Sequence, residues 1–396
     1  MEKIHSYIYT SLQLVEDYQG DVPFSIYLKN HFRQHKKFGS RDRRWIKNIC
    51  FAWFRSGGLF SDFNTMNRML CSFYLIQTES DPRANDIILS GGDVYKDINY
   101  ELSIPQKLDW IDANIGKVNR ENRIPFKTEF TSALSVEEYL SGLWLQPKVW
   151  LRVRSQKMEQ VQNILIKEGI IFQKHDELPN ALQLEQGVSL EKLNFVEKGF
   201  AHVQDLSSQK TMELIPAKSG ERWYDANAAS GGKSLMLMDA VEGVQLTVSD
   251  NRESILVNLK ERFRRNGIRN YTSFVTDLTN WSSEQPNAKL YDGIIADVPC
   301  SGSGTWSRSP EQMCYFNELK LKNYISLQDK ITERLCALLK PGGKLVYITC
   351  SVFKLENEDR VEALEKNQGL KCLESKLYQG TDEGADTLFV ALLEKK

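Results

Sequence analysis

Residues 222–234 read RWYDANAASGGKS: an apolar run ending in an acid, then small residues, two glycines and a lysine that opens the stretch SLMLMDA. A strand that stops at a carboxylate and passes through a glycine-rich turn into a helix is the first step of a doubly wound α/β sheet. The chain downstream repeats this step. Residues 244–250, VQLTVSD, lead into a helix running through Arg264 and stopped by Asn266-Gly267. Residues 271–277 and 291–297 supply a third and a fourth strand. A helix from about Leu319 to Leu339 ends at Pro341-Gly342-Gly343, ahead of a fifth strand over 344–350. A further helix from Glu356 and a last strand over 386–393 close the pattern. Such alternation predicts a largely parallel sheet whose ligands bind at the carboxyl ends of the strands. Asp225, Asp250, Asp277, Asp297 and Cys350 all fall at those ends.

With 396 residues, the chain has room for two or three domains, and its 41% hydrophobic and 26% charged content is that of a soluble globular protein. No apolar run reaches membrane-spanning length, and no signal-peptide core follows Met1-Glu-Lys-Ile-His. The seven cysteines contain no Cys-x-x-Cys pair, which argues against a disulfide framework and a structural zinc site. A cytoplasmic location, no membrane, no metal and a monomeric state are the expectations.

Two regions precede the sheet. Residues 1–140 are expected to form a mainly helical domain, with Phe24, Leu28, Phe32, Trp45, Ile46, Ile49, Cys50, Trp53 and Phe54 at three- and four-residue spacing. Its stretch from about 77 to 134 suggests no fold. Residues 145–200 alternate strand and helix and predict a small α+β unit; residues 201–396 then form the catalytic sheet. Net charge is only −1, yet Lys29 to Lys47 reads KNHFRQHKKFGSRDRRWIK, with Asp42 its only acid. That run suits contact with phosphates; it also suits the solvated side of a helix whose apolar side is buried.

The turn at 225–234 admits two readings. It lies one residue from the phosphate loop G-x-x-x-x-G-K-[ST], with Asn227 in place of the first glycine, so a nucleotide hydrolase has to be weighed. The alternative is a nucleoside-cofactor site. Carboxylates at successive strand ends accept hydrogen bonds from ribose hydroxyls and an adenine amine, with Asp250 placed for the ribose and Asp277 for the base. The same acids would repel a triphosphate, whereas S-adenosylmethionine carries a cationic sulfonium. Each aspartate taken singly is equally a helix cap or turn former.

Two cysteines fall at strand ends, in Pro299-Cys300-Ser301 and Thr349-Cys350-Ser351. The runs Asp297-Val-Pro-Cys-Ser-Gly-Ser-Gly-Thr-Trp and Tyr347-Ile-Thr-Cys-Ser-Val-Phe-Lys-Leu-Glu-Asn-Glu358 resemble the signature motifs of the Sun/Fmu (RsmB-like) family of RNA 5-methylcytosine methyltransferases. The glycine-rich turn resembles that family's D-x-C-A-A-P-G-G-K, and Val203-Gln-Asp-Leu-Ser-Ser-Gln209 its V-Q-D-x-x-S-Q segment. The resemblance covers Pro147 to the C-terminus. It implies a Rossmann-like class I S-adenosylmethionine-dependent sheet preceded by an RRM-like subdomain. Residues 39–50 are loosely similar to a NusB-like, RNA-binding helical domain.

The resemblance further implies the roles. Cys350 attacks cytosine C6, because C5 is otherwise too poor a nucleophile to take a methyl group. Cys300 assists product release, Asp297 contacts the base at N3 and Lys233 lies beside them. Asp225, Ala229, Ser230, Gly231, Gly232, Lys233, Asp250, Asp277 and Asp297 line the cofactor. The substrate is expected to be RNA, rRNA before tRNA, with the target cytosine unstacked. The family's loop cysteine and proline are Asn227 and Ser230 here, which predicts altered loop packing rather than loss of mechanism. A non-catalytic RNA-binding or ribosome-assembly factor on the same fold is the competing reading; the presence of Asp297, Cys300 and Cys350 together weighs against it.

Overall fold

The structure is a computed structural model and describes residues 2–124, 126–185, 188, 190, 193–280 and 290–396. Contacts divide it into two units. The first comprises Met1–Lys127, Leu140–Gln146 and Trp306–Glu318; the second comprises Thr128–Tyr139, Pro147–Thr305 and Leu319–Lys396. No helix among the described residues is long and apolar enough to cross a membrane.

The first unit is helical, with its core built on Phe24, Leu28, Phe32, Phe54, Phe60, Phe73 and Tyr74. Its helices include Phe24–Gln34, Ser40–Arg55 and Thr65–Leu75. The stretch that suggested no fold also contains helices, Pro82–Leu89 and Ile104–Asn114. Both carry local start signals: Asp81 accepts from the N–H groups of Arg83 and Ala84, and Gln106 reaches back to the Ser103 N–H. Trp306–Glu318, expected within the catalytic domain, packs here instead. Glu311 accepts from the Phe24 N–H at 3.1 Å, and the Tyr315 hydroxyl donates to Tyr18 O at 2.6 Å. Nonlocal contacts of this kind leave no periodic trace in a sequence.

The second unit opens with strands β1 (Val149–Val153), β2 (Phe172–Lys174), β3 (Ala181–Leu184) and β4 (Ala201–Val203), in the spatial order β2-β3-β1-β4 and all antiparallel. The helices Met158–Lys167 and Asn194–Glu197 complete a β-α-β-β-α-β unit, as in RRM-like modules. Pairing of Leu151, Arg152 and Val153 with 201–203 carries this sheet past the expected boundary at 200. One sheet face packs Leu151, Val153, Leu182 and Leu184 on Val161 and Leu165. On the other, Trp150 packs with Leu206 and Ala385, Arg152 pairs with Asp239 at 2.7 Å, and His202 bonds Asn266 at 2.9 Å. That face is therefore covered by the remainder of its own unit.

The large sheet contains β5 (Arg222–Asp225), β6 (Gln245–Asp250), β7 (Tyr271–Val275), β8 (Tyr291–Asp297), β9 (Leu339–Thr349), β10 (Leu370–Gln379) and β11 (Thr387–Lys395). Their order is β10-β11-β9-β8-β5-β6-β7; β5 to β9 pair in parallel, and β11 runs antiparallel between β9 and β10. Successive side chains alternate between two cores, Tyr224, Ile294, Leu345 and Tyr347 on one face, Trp223, Ile295, Val346 and Ile348 on the other. Strand order reverses between β5 and β8, which opens a crevice at their carboxyl ends. Two expectations need correction. The polar, partly exposed β10 was not anticipated, and β9 begins at Leu339, so the Pro341-Gly342-Gly343 turn lies inside a strand, at a register shift against β8.

Candidate active site

The crevice places four of the expected residues together. The Lys233 ammonium, at the start of the helix Gly232–Ala240, lies 2.7 Å from Asp297 Oδ2 at the end of β8. Burial alone would lower the Lys233 pKa, but Asp297, Asp225 and Cys350 around it more than offset that and hold it above its usual value. Because β8 and β9 are parallel neighbours, the loops leaving them run side by side, and Cys300 Sγ and Cys350 Sγ stand 3.3 Å apart. The Cys300 thiol is held well above its ordinary pKa, first by its bond to Cys350, then by burial and by the negative charges of Cys350 and Glu356. Either sulfur can be the donor in this contact.

These loops are tied together by a carboxyl group, Glu356, to which the sequence motif alone assigns no role. Glu356 is fully buried. Its Oε1 accepts from the Ser301 N–H at 2.9 Å and from Gln328 Nε2 at 3.0 Å; its Oε2 accepts from the hydroxyls of both Ser301 and Ser351. Each serine follows one of the two cysteines, so one side chain sets the spacing of the thiols. Gln328 also donates to Pro299 O at 3.0 Å. Gly304 closes the loop: its N–H donates to Cys350 O at 2.9 Å, and a Cβ there would sit 1.9 Å from Thr387 O. The signal was legible as a glutamate six residues after the cysteine, but only the fold brings it to Ser301.

The glycine-rich turn has the geometry of a cofactor cradle. Ala229 adopts φ 45° and Gly231 φ 80°, and a Cβ on Gly231 would meet the Phe263 ring at 2.7 Å, so glycine is required there. The exposed Ser230 contacts Arg262 through its carbonyl and hydroxyl, at 3.2 and 3.0 Å, and Gly232 begins the helix. Asp225 takes a 2.6 Å bond from the Ser234 hydroxyl on Oδ2, while its buried Oδ1 has no partner among the described residues. Burial pushes this carboxyl up to about 6. Asn227 Nδ2 is likewise buried and unpartnered. Two orphaned polar atoms of opposite character, one acceptor and one donor, fit an amphoteric ligand better than a polyanion.

Two expected residues are differently placed. Asp250 is buried, but all four of its lone-pair directions are in use: Ala229 N–H on Oδ2, Arg252 N–H on Oδ1, and the Arg252 guanidinium on both. The Arg252 side chain that occupies this carboxylate is itself exposed. Asp277 lies two residues beyond β7, exposed, with Oδ1 held by the Thr279 N–H and hydroxyl at 2.8 and 2.6 Å. It forms a turn in this structure.

Residues 212–390 match the family profile described as 16S rRNA methyltransferase RsmB/F. Among curated relatives, the chain is 28% identical over 263 residues to Ribosomal RNA small subunit methyltransferase B of Proteus mirabilis, covering 66% of this chain and 62% of that protein. Its counterpart from Pasteurella multocida is 30% identical over 267 residues, covering 63% and 59%. The matches therefore span about 60% of these relatives' own length. Among solved structures, PH0851 superposes with a TM-score of 0.70 at 20% identity, over 99% of this chain and 98% of that one. NSun6 from Pyrococcus horikoshii with SFG gives 0.59 at 18% identity, over 72% and 97%. A methyltransferase homolog protein from the same organism gives 0.56 at 22%, over 65% and 90%. At these identities the structural likeness speaks for the fold alone, a Rossmann-like α/β sheet. In motifs and in fold, residues 212–390 are similar to the RsmB/F (Sun/Fmu) methyltransferase family.

Proposed function

We propose that the chain is an RNA (cytosine-C5) methyltransferase that uses S-adenosylmethionine and acts on rRNA. The observation that carries this reading is the pair of thiols 3.3 Å apart beside the Lys233–Asp297 ion pair, at the strand-order reversal of a class I sheet. The relatives' names point to the small-subunit rRNA, and NSun6 with SFG, an S-adenosylmethionine analogue, supports the choice of cofactor. Asp225 Oδ1 and Asn227 Nδ2 would hold the amino-acid portion of the cofactor, and Asp250 its ribose once Arg252 moves. Bound S-adenosylmethionine supplies an electrophilic methyl group.

In this reading the Cys350 sulfur adds as a thiolate to C6 of an unstacked cytosine. An S–C6 bond forms and C5 gains enamine character while N3 is protonated through Asp297, with the Lys233 ammonium as the neighbouring proton source. After C5 is methylated, its proton has to leave. Cys350 is the largest influence holding the Cys300 proton in the free enzyme. With the Cys350 sulfur bonded to C6, Cys300 gives its thiol proton to solvent and, as a thiolate, accepts the C5 proton. The S–C6 bond then breaks, its electron pair returns to Cys350 as the thiolate, and the N3 proton goes back through Asp297 to the Lys233 amine.

The test is transfer of labelled methyl to ribosomal RNA from cells lacking the protein, with 5-methylcytosine identified by mass spectrometry of the nucleosides. RNA that binds with no transfer would favour the competing reading of a non-catalytic binding factor.

A further inference from the structure

Among the described residues, which include all seven cysteines, Cys300 and Cys350 are the one pair of thiols in contact. Cys50, Cys71 and Cys336 are buried apart from any second sulfur; Cys314 donates to Phe54 O at 3.3 Å and Cys372 to Glu374 O at 3.7 Å. Cys300 and Cys350 are both partly exposed, with their sulfurs 3.3 Å apart. An S–S bond of about 2.05 Å needs them to close by roughly 1 Å more.

The surrounding loops hold the two sulfurs side by side. Glu356 Oε2 accepts from the hydroxyls of Ser301 and Ser351, next to the two cysteines. The Gly304 N–H donates to Cys350 O at 2.9 Å, and the Val298 N–H to Ile348 O at 3.1 Å. Each thiol therefore meets the other at a high effective concentration, against which a diffusible thiol competes poorly.

We propose that Cys300 and Cys350 form a modification site for hydroperoxides, which join them in an intramolecular disulfide and switch off methyl transfer. The linkage itself does not depend on the proposed function; the loss of transfer, and Cys350 as the first sulfur to react, rest on it. The Cys350 thiolate attacks one peroxide oxygen: an S–O bond forms, the O–O bond breaks, and the departing oxygen takes a proton from solvent. Cys350 is then a sulfenic acid. The Cys300 sulfur attacks the Cys350 sulfur, the S–S bond forms as the S–O bond breaks, and the Cys300 proton leaves with the hydroxide as water. The two sulfurs give up two electrons and the peroxide takes them. Surroundings that hold the Cys300 thiol well above its ordinary pKa suit it to this second step rather than the first. Closure also protects Cys350 from further oxidation to a sulfinic acid, which thiols do not reverse, whereas a dithiol reductant reopens the disulfide by exchange.

The experiment exposes reduced full-length protein to hydrogen peroxide, blocks remaining thiols with N-ethylmaleimide and maps peptides by mass spectrometry without reductant. The peptides carrying Cys300 and Cys350 are expected to be joined, with two of the seven thiols lost to titration in denaturant. Methyl transfer to ribosomal RNA should fall in step with the linked fraction and return with dithiothreitol. In Cys300→Ser, the Cys350 sulfenic acid lacks its partner and should be trapped by dimedone; Cys372→Ser should behave as the unaltered protein. Linkage is read on the unaltered protein, so the result does not depend on the folding of any variant. Sulfinic acid at Cys350 with no Cys300–Cys350 linkage overturns the inference, as does joining to Cys314 or Cys372 instead. Full linkage with undiminished transfer overturns the switch. Linkage in a protein that transfers no methyl even when reduced would sink the proposed function and leave the modification site standing; normal transfer by a protein that never links would do the reverse.

Discussion

Replacing Glu356 by Ala removes the acceptor shared by the two cysteine loops. Four hydrogen bonds disappear, but the donors are not equally stranded. The Ser301 and Ser351 hydroxyls have each other at 3.2 Å, and Ser303 Oγ at 3.1 and 3.3 Å. Gln328 keeps Pro299 O. The Ser301 N–H and one Gln328 N–H are left buried without partners, at roughly 1–3 kcal/mol each, and the lost side chain leaves a cavity. The sum is about 3–5 kcal/mol. At about 2–4 °C per kcal/mol for a unit of this size, the melting temperature should fall by roughly 10 °C. Loosening the thiol pair should lower kcat by about 100-fold at temperatures where the variant remains folded. The KM for S-adenosylmethionine should stay within about threefold, since the 225–234 turn is untouched. Glu356→Gln should be milder on both counts: its amide oxygen can take the place of Oε1, and the serine hydroxyls can rotate to accept from its amide nitrogen. Melting curves and steady-state kinetics on both variants provide the check. An alanine variant that melts within about 2 °C of the unaltered protein, with kcat within about threefold, would refute the clamp.

Three further outcomes follow from named groups. His202 is buried neutral, its pKa lowered to about 3 by burial and then by Arg262 and Arg152. The unfolded chain therefore binds more protons below its ordinary pKa of about 6.5, and stability is lost as pH falls from there, by about 2 kcal/mol at pH 5; His202→Gln should flatten melting temperature against pH between about 4.5 and 6.5. Asp225 has the opposite sense for an acid: raised to about 6, it favours the fold below its ordinary pKa and loses that contribution as pH rises through about 6. Asp225→Asn should accordingly raise the melting temperature of the ligand-free protein at pH 8, with a penalty of about 3 kcal/mol removed, while weakening S-adenosylmethionine binding measured by calorimetry. Gly304→Ala, with its Cβ placed against Thr387 O, should lower the melting temperature by several degrees and cost activity; a variant matching the unaltered protein in both would contradict the close packing of the two loops.

The sequence exposes those parts of the molecule that local pattern determines. RWYD followed by a glycine turn, VQLTVSD, and the adjacent strand ends carrying Cys300 and Cys350 were all readable, because strand alternation and turn chemistry are encoded within about ten residues. What escaped is nonlocal or two-sided. β10, LKCLESKLYQ, alternates with lysines and glutamates at a sheet edge, so it lacks the apolar content by which buried strands are recognised. The packing of 306–318 with the helical unit depends on partners such as Phe24 and Tyr18, nearly three hundred residues away. At Asp250 the strand-end position was legible, but the guanidinium of Arg252, two residues on, occupies the carboxylate. The helices at 82–89 and 104–114 carry local start signals, Asp81-Pro82 and Ser103-x-x-Gln106, but too little apolar periodicity to stand out without them.

The central claim is that Cys350 bonds covalently to the base and Cys300 sets it free. Its most direct test is denaturing electrophoresis of Cys300→Ser and Cys350→Ser variants after incubation with S-adenosylmethionine and radiolabelled ribosomal RNA. The account predicts a slow-migrating, nuclease-sensitive protein–RNA adduct in Cys300→Ser and none in Cys350→Ser, which should also transfer no methyl. An adduct that persists in Cys350→Ser, or normal methyl transfer by that variant, would contradict the account.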